Sequence, residues 1–198
     1  MYQFIETIKI QEGKLCNIDF HNHRFNATRQ LFFPKTEAAD LNELISIPDD
    51  CKKGVFKCRM EYDDYIRSVS FTPYQIKDIK RLKLITCNEI EYNFKFKNRQ
   101  TLETLFGQRN DCDEILIVKN NHITDTSYSN IIFYDGRGWI TPKSPLLKGT
   151  KRAYLLAQGI IKEEDILLSG IKNFKKVALI NAMLDIEDCQ IDIEDIIF

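Results

Sequence analysis

No run of apolar residues in this sequence approaches the length of a membrane span. The N-terminal MYQFIETIKIQEGK alternates like a strand and lacks the apolar stretch of a signal peptide, so a cytoplasmic chain is expected. A charge excess is missing too. The formal net charge of -1 argues against a nucleic-acid or anionic-membrane surface as the main partner. The six cysteines, at 16, 51, 58, 87, 112 and 189, contain no CxxC pair and no histidine spacing suited to zinc. They read as reduced thiols, and no metal is expected. Internal repeats and low-complexity tracts are absent, and so is the regular βαβ alternation of a doubly wound sheet.

What is present fits an ordinary globular chain of 198 residues, 43% hydrophobic and 29% charged. YQFIETIKIQEGKLCNI reads as two strands joined at EGK. HNHRFNATRQLFF shifts to helical spacing and ends at Pro34, and TEAADLNELI is expected to form a second helix. VFKCRMEYDD and YIRSVSFTPY read as a hairpin turning near Asp63 and Asp64. RLKLITC, EILIVKNNHIT, SNIIFYDGRGWIT and KKVALINAM supply further strands. RQTLETLFGQRN and GTKRAYLLAQGII supply helices, the first with Leu102, Leu105 and Phe106 on one face. The order is mixed and the class α+β. PYQIKDIKRL reads as a link, giving a small N-terminal lobe over residues 1–75 and a larger one over 76–198.

KNNHITDTSYSNIIF raises a question. Two apolar strands flank one carboxylate, Asp125, and a cluster of small polar residues. A turn accounts for Asn120 and Asn121 but not for DTSYSN. Elsewhere, FKFKNR alternates aromatic rings with Lys95 and Lys97, which reads either as the solvent face of an edge strand or as an amine held in a partly desolvated pocket. Gly149 and Thr150 open a helix whose first amides suit an anion, although Thr150 also reads as a simple cap. Arg24 reads as a phosphate anchor or a surface arginine, and Asn181 as an anion donor or a turn opener. A reactive lysine, an arginine, a helix N-terminus and an isolated acid are the parts that pyridoxal phosphate requires.

The wording and order of these stretches resemble the class IV (fold type IV) pyridoxal-phosphate enzymes over nearly the whole chain. FIETIKIQEGKL resembles the family's F-E-T-I-R strand, HNHRFNAT its H-x-x-R-L-x-x-S helix, and KFKNR the K-x-x-N-R around its Schiff-base lysine. DEILIVKNNHITDTSYSNIIF resembles D-E-A-L-L-L…V-T-E-G-S-x-S-N-I-F. WITPKSPLLKGTKR resembles the phosphate loop, and INAM the N-A-L-M of 4-amino-4-deoxychorismate lyases.

The resemblance implies a two-lobed D-amino-acid aminotransferase-like fold, with a small α/β lobe, a larger barrel-like lobe and the cofactor between them. It makes Lys95 the Schiff-base lysine and proton shuttle, selected over Lys97 because it stands four residues before Arg99. Asp125 stands where the family has a glutamate that pairs with the pyridine nitrogen. Arg24, Gly149, the amides of Thr150 and Lys151, and Asn181 would bind the phosphate. Thr7 and the backbone of Ala182 would face the substrate, with Thr7 near the lyase's catalytic hydroxyl. Asp for Glu at 125, Thr126 in place of glycine, Lys148-Gly149-Thr150-Lys151 in place of Pro-Gly-Ile-Thr, and a start at the F-x-E-T strand depart from the pattern. The implied activity is that of 4-amino-4-deoxychorismate lyase, releasing pyruvate and making 4-aminobenzoate for folate. The alternatives are an aminotransferase of D- or branched-chain amino acids and a catalytically impaired member. A homodimer acting on a small amino-acid substrate is the implied assembly.

Overall fold

In the computed structural model, which describes residues 2–198, strand β1 (Phe4–Gln11) turns every second side chain inward. Phe4, Glu6, Ile8 and Ile10 are all fully buried, so the period of two carries one carboxylate into the core with three apolar residues. β2 (Lys14–Leu15) returns antiparallel through Glu12 and Gly13, both at positive φ, as a two-residue hairpin turn requires. α1 (Ile18–Phe32) follows, and its Phe25 is buried. β3 (Val55–Tyr62) and β4 (Ile66–Pro73) form the expected hairpin around Asp63 and Asp64. The sheet runs β2-β1-β3-β4, and Phe25 packs into the core built by Phe4, Ile8, Ile10, Met60 and Tyr62.

TEAADLNELI does not make a full second helix. Only one turn, α2 (Leu41–Leu44), is helical, and the Asp40 carboxylate accepts from the Asn42 N–H to cap it. The backbone ahead of it is satisfied by α1. Asn26 donates to the Ala39 carbonyl and accepts from its N–H, and Asn22 accepts from the Leu41 N–H at 2.8 Å. Two side-chain amides thus supply the hydrogen bonds that a helix would otherwise have made.

A second correction concerns residues 94–98. The chain divides into two compact units; one runs to Gln75 and takes in Phe94–Asn98, and the other comprises Ile76–Asn93 and Arg99–Phe198. The sequence assigned 94–98 to the larger lobe. The Ile5 N–H donates to the Lys95 carbonyl at 2.9 Å and the Lys97 N–H to the Gln3 carbonyl at 2.8 Å, laying the segment along the start of β1. Phe94 and Phe96 join an aromatic cluster in which Phe32 meets Phe94 at 4.9 Å and Phe4 meets Phe96 at 5.1 Å between ring centroids. Packing of those two partly buried rings against the first unit's core decides where the five residues belong.

In the second unit, β5 (Leu82–Thr86) pairs parallel with β6 (Glu114–Lys119), and α3 (Gln100–Phe106) lies between them in the chain. Leu102 and Leu105 of α3 pack with Ile115 and Ile117 of β6. Residues 114–118 are all buried, hence the unbroken EILIV in place of alternation. β7 (His122–Thr126) returns from β6 through Asn120 and Asn121, whose φ values of 49° and 66° are those of a tight hairpin turn. β8 (Asn130–Tyr134), β9 (Trp139–Pro142), α4 (Thr150–Ala157), β10 (Ile161–Glu164), β11 (Lys176–Ile180), β12 (Gln190–Asp192) and β13 (Ile196–Ile197) complete the unit. Its sheet has the order β10-β9-β8-β7-β6-β5-β13, with β11 pairing β8 and β12 pairing β11. Parallel pairs are confined to β5–β6, β5–β13 and β9–β10, so the mixed class α+β holds. All six cysteines are free thiols. No helix among the described residues is long and apolar enough to cross a membrane.

Candidate functional site

Each unit gathers part of the residue set singled out by the sequence. In the first, the inward Glu6 of β1 meets α1. Arg24 grips it with two nitrogens, Nε to Oε1 at 2.8 Å and Nη2 to Oε2 at 2.5 Å, and His21 Nδ1 lies 2.6 Å from Oε2. Burial alone would raise the Glu6 pKa, but the Arg24 charge and the hydrogen bonds from His21 and Arg24 outweigh it and hold it at about 2. Burial pushes His21 below its ordinary value despite the carboxylate, so a neutral imidazole donates Nδ1–H to Glu6. The Lys95 charge depresses His21 a little further, which places that amine within electrostatic reach of the cluster.

Arg24 is therefore neither a loose surface arginine nor an anchor free to choose its direction. A buried carboxylate fixes the plane of its guanidinium. The two lysines differ in exposure and partners. Lys95 is half-buried, whereas Lys97 is exposed and reaches Glu61 Oε2 at 2.7 Å. Thr7 lies half-buried on β1, one residue beyond Glu6 and so on the opposite side of the strand.

In the second unit, Asp125 is buried near the end of β7. Its two oxygens are held by neutral donors: Asn130 Nδ2 to Oδ1 at 2.8 Å and the Leu147 N–H to Oδ2 at 2.9 Å. Burial raises its pKa to about 6; those hydrogen bonds and the field of Arg152 oppose the rise without cancelling it. Arg152 is spent elsewhere, on Glu163 Oε1 at 2.5 Å and the Pro142 carbonyl at 2.8 Å. Asp125 is thus a carboxyl group held away from water, without a cation of its own in hydrogen-bond contact.

Helix α4 starts close by in sequence. Its N-cap is Gly149 in an extended conformation with no side-chain cap, so the reading of Thr150 as a simple cap fails. Thr150 is the first helical residue. The Lys151 ammonium is engaged by Asp185, so its backbone amide is what it can offer an anion. The absence of a Cβ at 149 is a steric need, since an added one would sit 2.1 Å from Asn130 Oδ1.

The small polar residues after Asp125 form a latched turn. Thr126 N–H and Oγ1 both donate to the Ser129 carbonyl, and Oγ1 accepts from the Ser129 N–H. All three polar groups of Ser127 are taken. Buried Glu114 accepts from its N–H at 3.2 Å and from its hydroxyl at 3.0 Å, and Arg99 Nη2 donates to its carbonyl at 2.6 Å. Arg99 Nε is buried without a hydrogen-bond partner. Asn181 takes the turn role: Oδ1 accepts from the Met183 and Leu184 N–H groups, while Nδ2 donates to Ser129 Oγ at 2.8 Å. Ala182 sits half-buried in that turn.

Several of these residues escaped the sequence reading. Glu6 was visible as a lone acid at an inward position of FIETIKI, where the alternation demands an apolar side chain. His21 lies three residues before Arg24, on the same face of the helix. Asn130, Glu114 and Arg99 enter the sequence reading only as letters of the family motifs, and nothing local shows their roles, because Leu147, Ser127 and Ser127 respectively lie 17, 13 and 28 positions away.

Residues 3–189 match the family described as amino-transferase class IV. A protein of Haemophilus influenzae Rd without an assigned function is 37% identical over 185 residues, covering 92% of this chain and 98% of its own. A crystal structure from Haemophilus somnus 129PT, of a protein proposed to be a 4-amino-4-deoxychorismate lyase, is 34% identical. It superposes with a TM-score of 0.87 over 92% of this chain and 97% of that one. A proposed amino-acid aminotransferase from Mesorhizobium loti shares the fold at 20% identity and a TM-score of 0.82, over 97% of this chain and 99% of its own.

Proposed function

The chain belongs to the class IV aminotransferase family, and from that premise we propose that it is a pyridoxal-phosphate enzyme, specifically a 4-amino-4-deoxychorismate lyase. The observation that carries the cofactor is Asp125. Its folded pKa of about 6 lies above the ordinary 3.8, so its stabilising share is present below pH 3.8 and lost as pH rises to 6. At neutral pH the ionised carboxylate costs the empty protein on the order of 3 kcal/mol. A protonated ring nitrogen placed against it removes that cost.

The rest of the donor set has the chemistry the cofactor needs: an amine for its aldehyde, a fixed guanidinium and helix-start amides for its phosphate. Bound pyridoxal phosphate supplies an electron sink for charge developing at the substrate α-carbon. Lys95 is the residue that would hold the cofactor's aldehyde and whose Nζ would move the α-proton. Asp125 keeps the proton on the ring nitrogen. Arg24, oriented by Glu6, and separately the amides of Thr150 and Lys151 are the groups that would bind a phosphate. Asn181 shapes the turn that presents Ala182 to the substrate, and Thr7 offers a hydroxyl. The lyase assignment is supported by the 34% identical relative and by Asn98-Arg99 and Asn181-Ala182-Met183.

Incubation of the cofactor-loaded protein with 4-amino-4-deoxychorismate should release pyruvate and 4-aminobenzoate in equal amounts. Transfer of the amino group from D- or branched-chain amino acids to a keto acid, with no pyruvate from the chorismate substrate, would replace the lyase by an aminotransferase. The phosphate assignment has its own test. Arg24→Ala should weaken cofactor retention roughly tenfold to a hundredfold, the worth of a charge-assisted hydrogen bond. Saturating cofactor should partly restore turnover, and unchanged retention would remove Arg24 from the phosphate site.

A further inference from the structure

Asn130 has both of its amide hydrogens committed. Nδ2 donates to Asp125 Oδ1 and to the Leu147 carbonyl, both at 2.8 Å, while the Leu147 N–H donates to Asp125 Oδ2 at 2.9 Å. Three groups close a ring: both carboxylate oxygens, both amide hydrogens, and both backbone groups of Leu147. Asn130 Oδ1 faces Gly149 so closely that a Cβ there would lie 2.1 Å from it, and a side chain could stand there only by displacing Asn130. Leu147 and Gly149 bracket Lys148 immediately before α4, so the side chain that orients the acid also fixes the strand of backbone leading into the helix start.

We propose that Asn130 is a positioning residue that sets the acid at 125 and the phosphate loop at 147–149 as one rigid piece, and thereby fixes the separation of ring and phosphate contacts. This rests on the pyridoxal-phosphate reading. Asn130 touches no reacting atom. Its role is to make two anchoring points move together, so that a ligand with both a basic ring and a phosphate meets them at one spacing. The same geometry explains the glycine at 149, which the close approach of Asn130 requires and the extended backbone there does not.

The test uses the full chain and two variants that strike the same contact from opposite sides, Asn130→Ala and Gly149→Ala. Gly138→Ala serves as a control, since a Cβ at 138 meets open space. The first readout needs no cofactor: carbon-13 carboxyl NMR of the empty protein, with the Asp125 signal identified by its loss in Asp125→Asn. Removing the Asn130 donor should raise the Asp125 midpoint by about one pH unit, because the charged form loses a hydrogen bond while the field of Arg152 persists. The second readout is affinity for pyridoxal phosphate against that for pyridoxal. Both variants should lose about tenfold or more for the phosphate form and less for pyridoxal, which keeps the ring and aldehyde contacts but lacks the phosphate. Gly138→Ala should change neither quantity.

An unchanged Asp125 midpoint in Asn130→Ala overturns the inference. So does an equal loss for the two ligands, which would mean that the acid alone was disturbed. Wild-type protein that takes up no pyridoxal phosphate overturns the underlying reading, and the inference with it. Should Asn130→Ala fail to fold, Gly149→Ala carries both readouts, since it displaces Asn130 without deleting it.

Discussion

Lys95→Ala should abolish the visible absorbance of the cofactor-loaded protein and lower turnover by several orders of magnitude, because one substitution removes both the covalent tether and the proton shuttle. Lys97→Ala should leave the colour and most of the rate. The two side chains are two residues apart and chemically identical, so the contrast tests placement and not lysine content. Lys97 is exposed and paired with Glu61, a contact worth at most about 1 kcal/mol in solvent. Lys95 is half-buried and acts on His21. Borohydride reduction followed by peptide mapping should place the pyridoxyl group on Lys95. A pyridoxyl group on Lys97 would shift the motif by two residues and void the site as drawn.

The second large effect is on stability. Glu6→Ala leaves Arg24 and His21 facing an emptied anion site in the core of the first unit, and breaking a buried pair by deleting one partner costs about 3–5 kcal/mol. Chemical denaturation at pH 7 should show a loss of that size. The pH dependence gives a sharper check. The folded pKa of Glu6 is about 2 against an ordinary 4.5, so its contribution is fully present above pH 4.5 and lost as pH falls from 4.5 towards 2. Its share is on the order of 3 kcal/mol, and the gap between wild type and variant should narrow across that window. A constant gap from pH 5 to pH 3 would mean that the ion pair contributes little and the loss is one of packing. His21 acts at higher pH. Its depressed pKa means that stability falls as pH drops below 6.5, and falls further in the variant, which lacks the carboxylate that raises the His21 pKa.

Sequence periodicity located most of the framework because most strands here are half-buried or wholly buried, and both patterns leave a mark. FIETIKI reads as β1, EILIV as the buried β6, and Asn120-Asn121 as the tight turn between β6 and β7. It failed where a distant side chain decides the local backbone. Nothing in TEAADLNELI announces that Asn22 and Asn26 take over its hydrogen bonds, and nothing in FKFKN says that its two rings pack against Phe4 and Phe32. The candidate site divides the same way. Lys95, Arg24 and Asp125 are singled out by the family resemblance, each being ambiguous by itself, whereas the roles of Asn130, Glu114 and Arg99 show only once folding brings their partners within 3 Å or so. Thr126 replaces the family glycine without leaving its hydroxyl stranded, because Ser129 accepts from it and donates back.

The short segment Phe94–Asn98 has a consequence for how the polypeptide is made. The chain completes β4, leaves for Ile76–Asn93, and returns for five residues that cover the start of β1 before departing again. During synthesis the first unit therefore cannot close until residue 98 has left the ribosome. Until then the edge of β1 near Gln3 and Ile5 is open to pairing with another chain, and Phe4 and Phe32 lack two of their ring neighbours. A fragment ending at Gln75 should be sticky and aggregation-prone, and adding back residues 94–98 should make it markedly more soluble, although those five residues contribute only one short backbone segment and two partly buried phenyl rings.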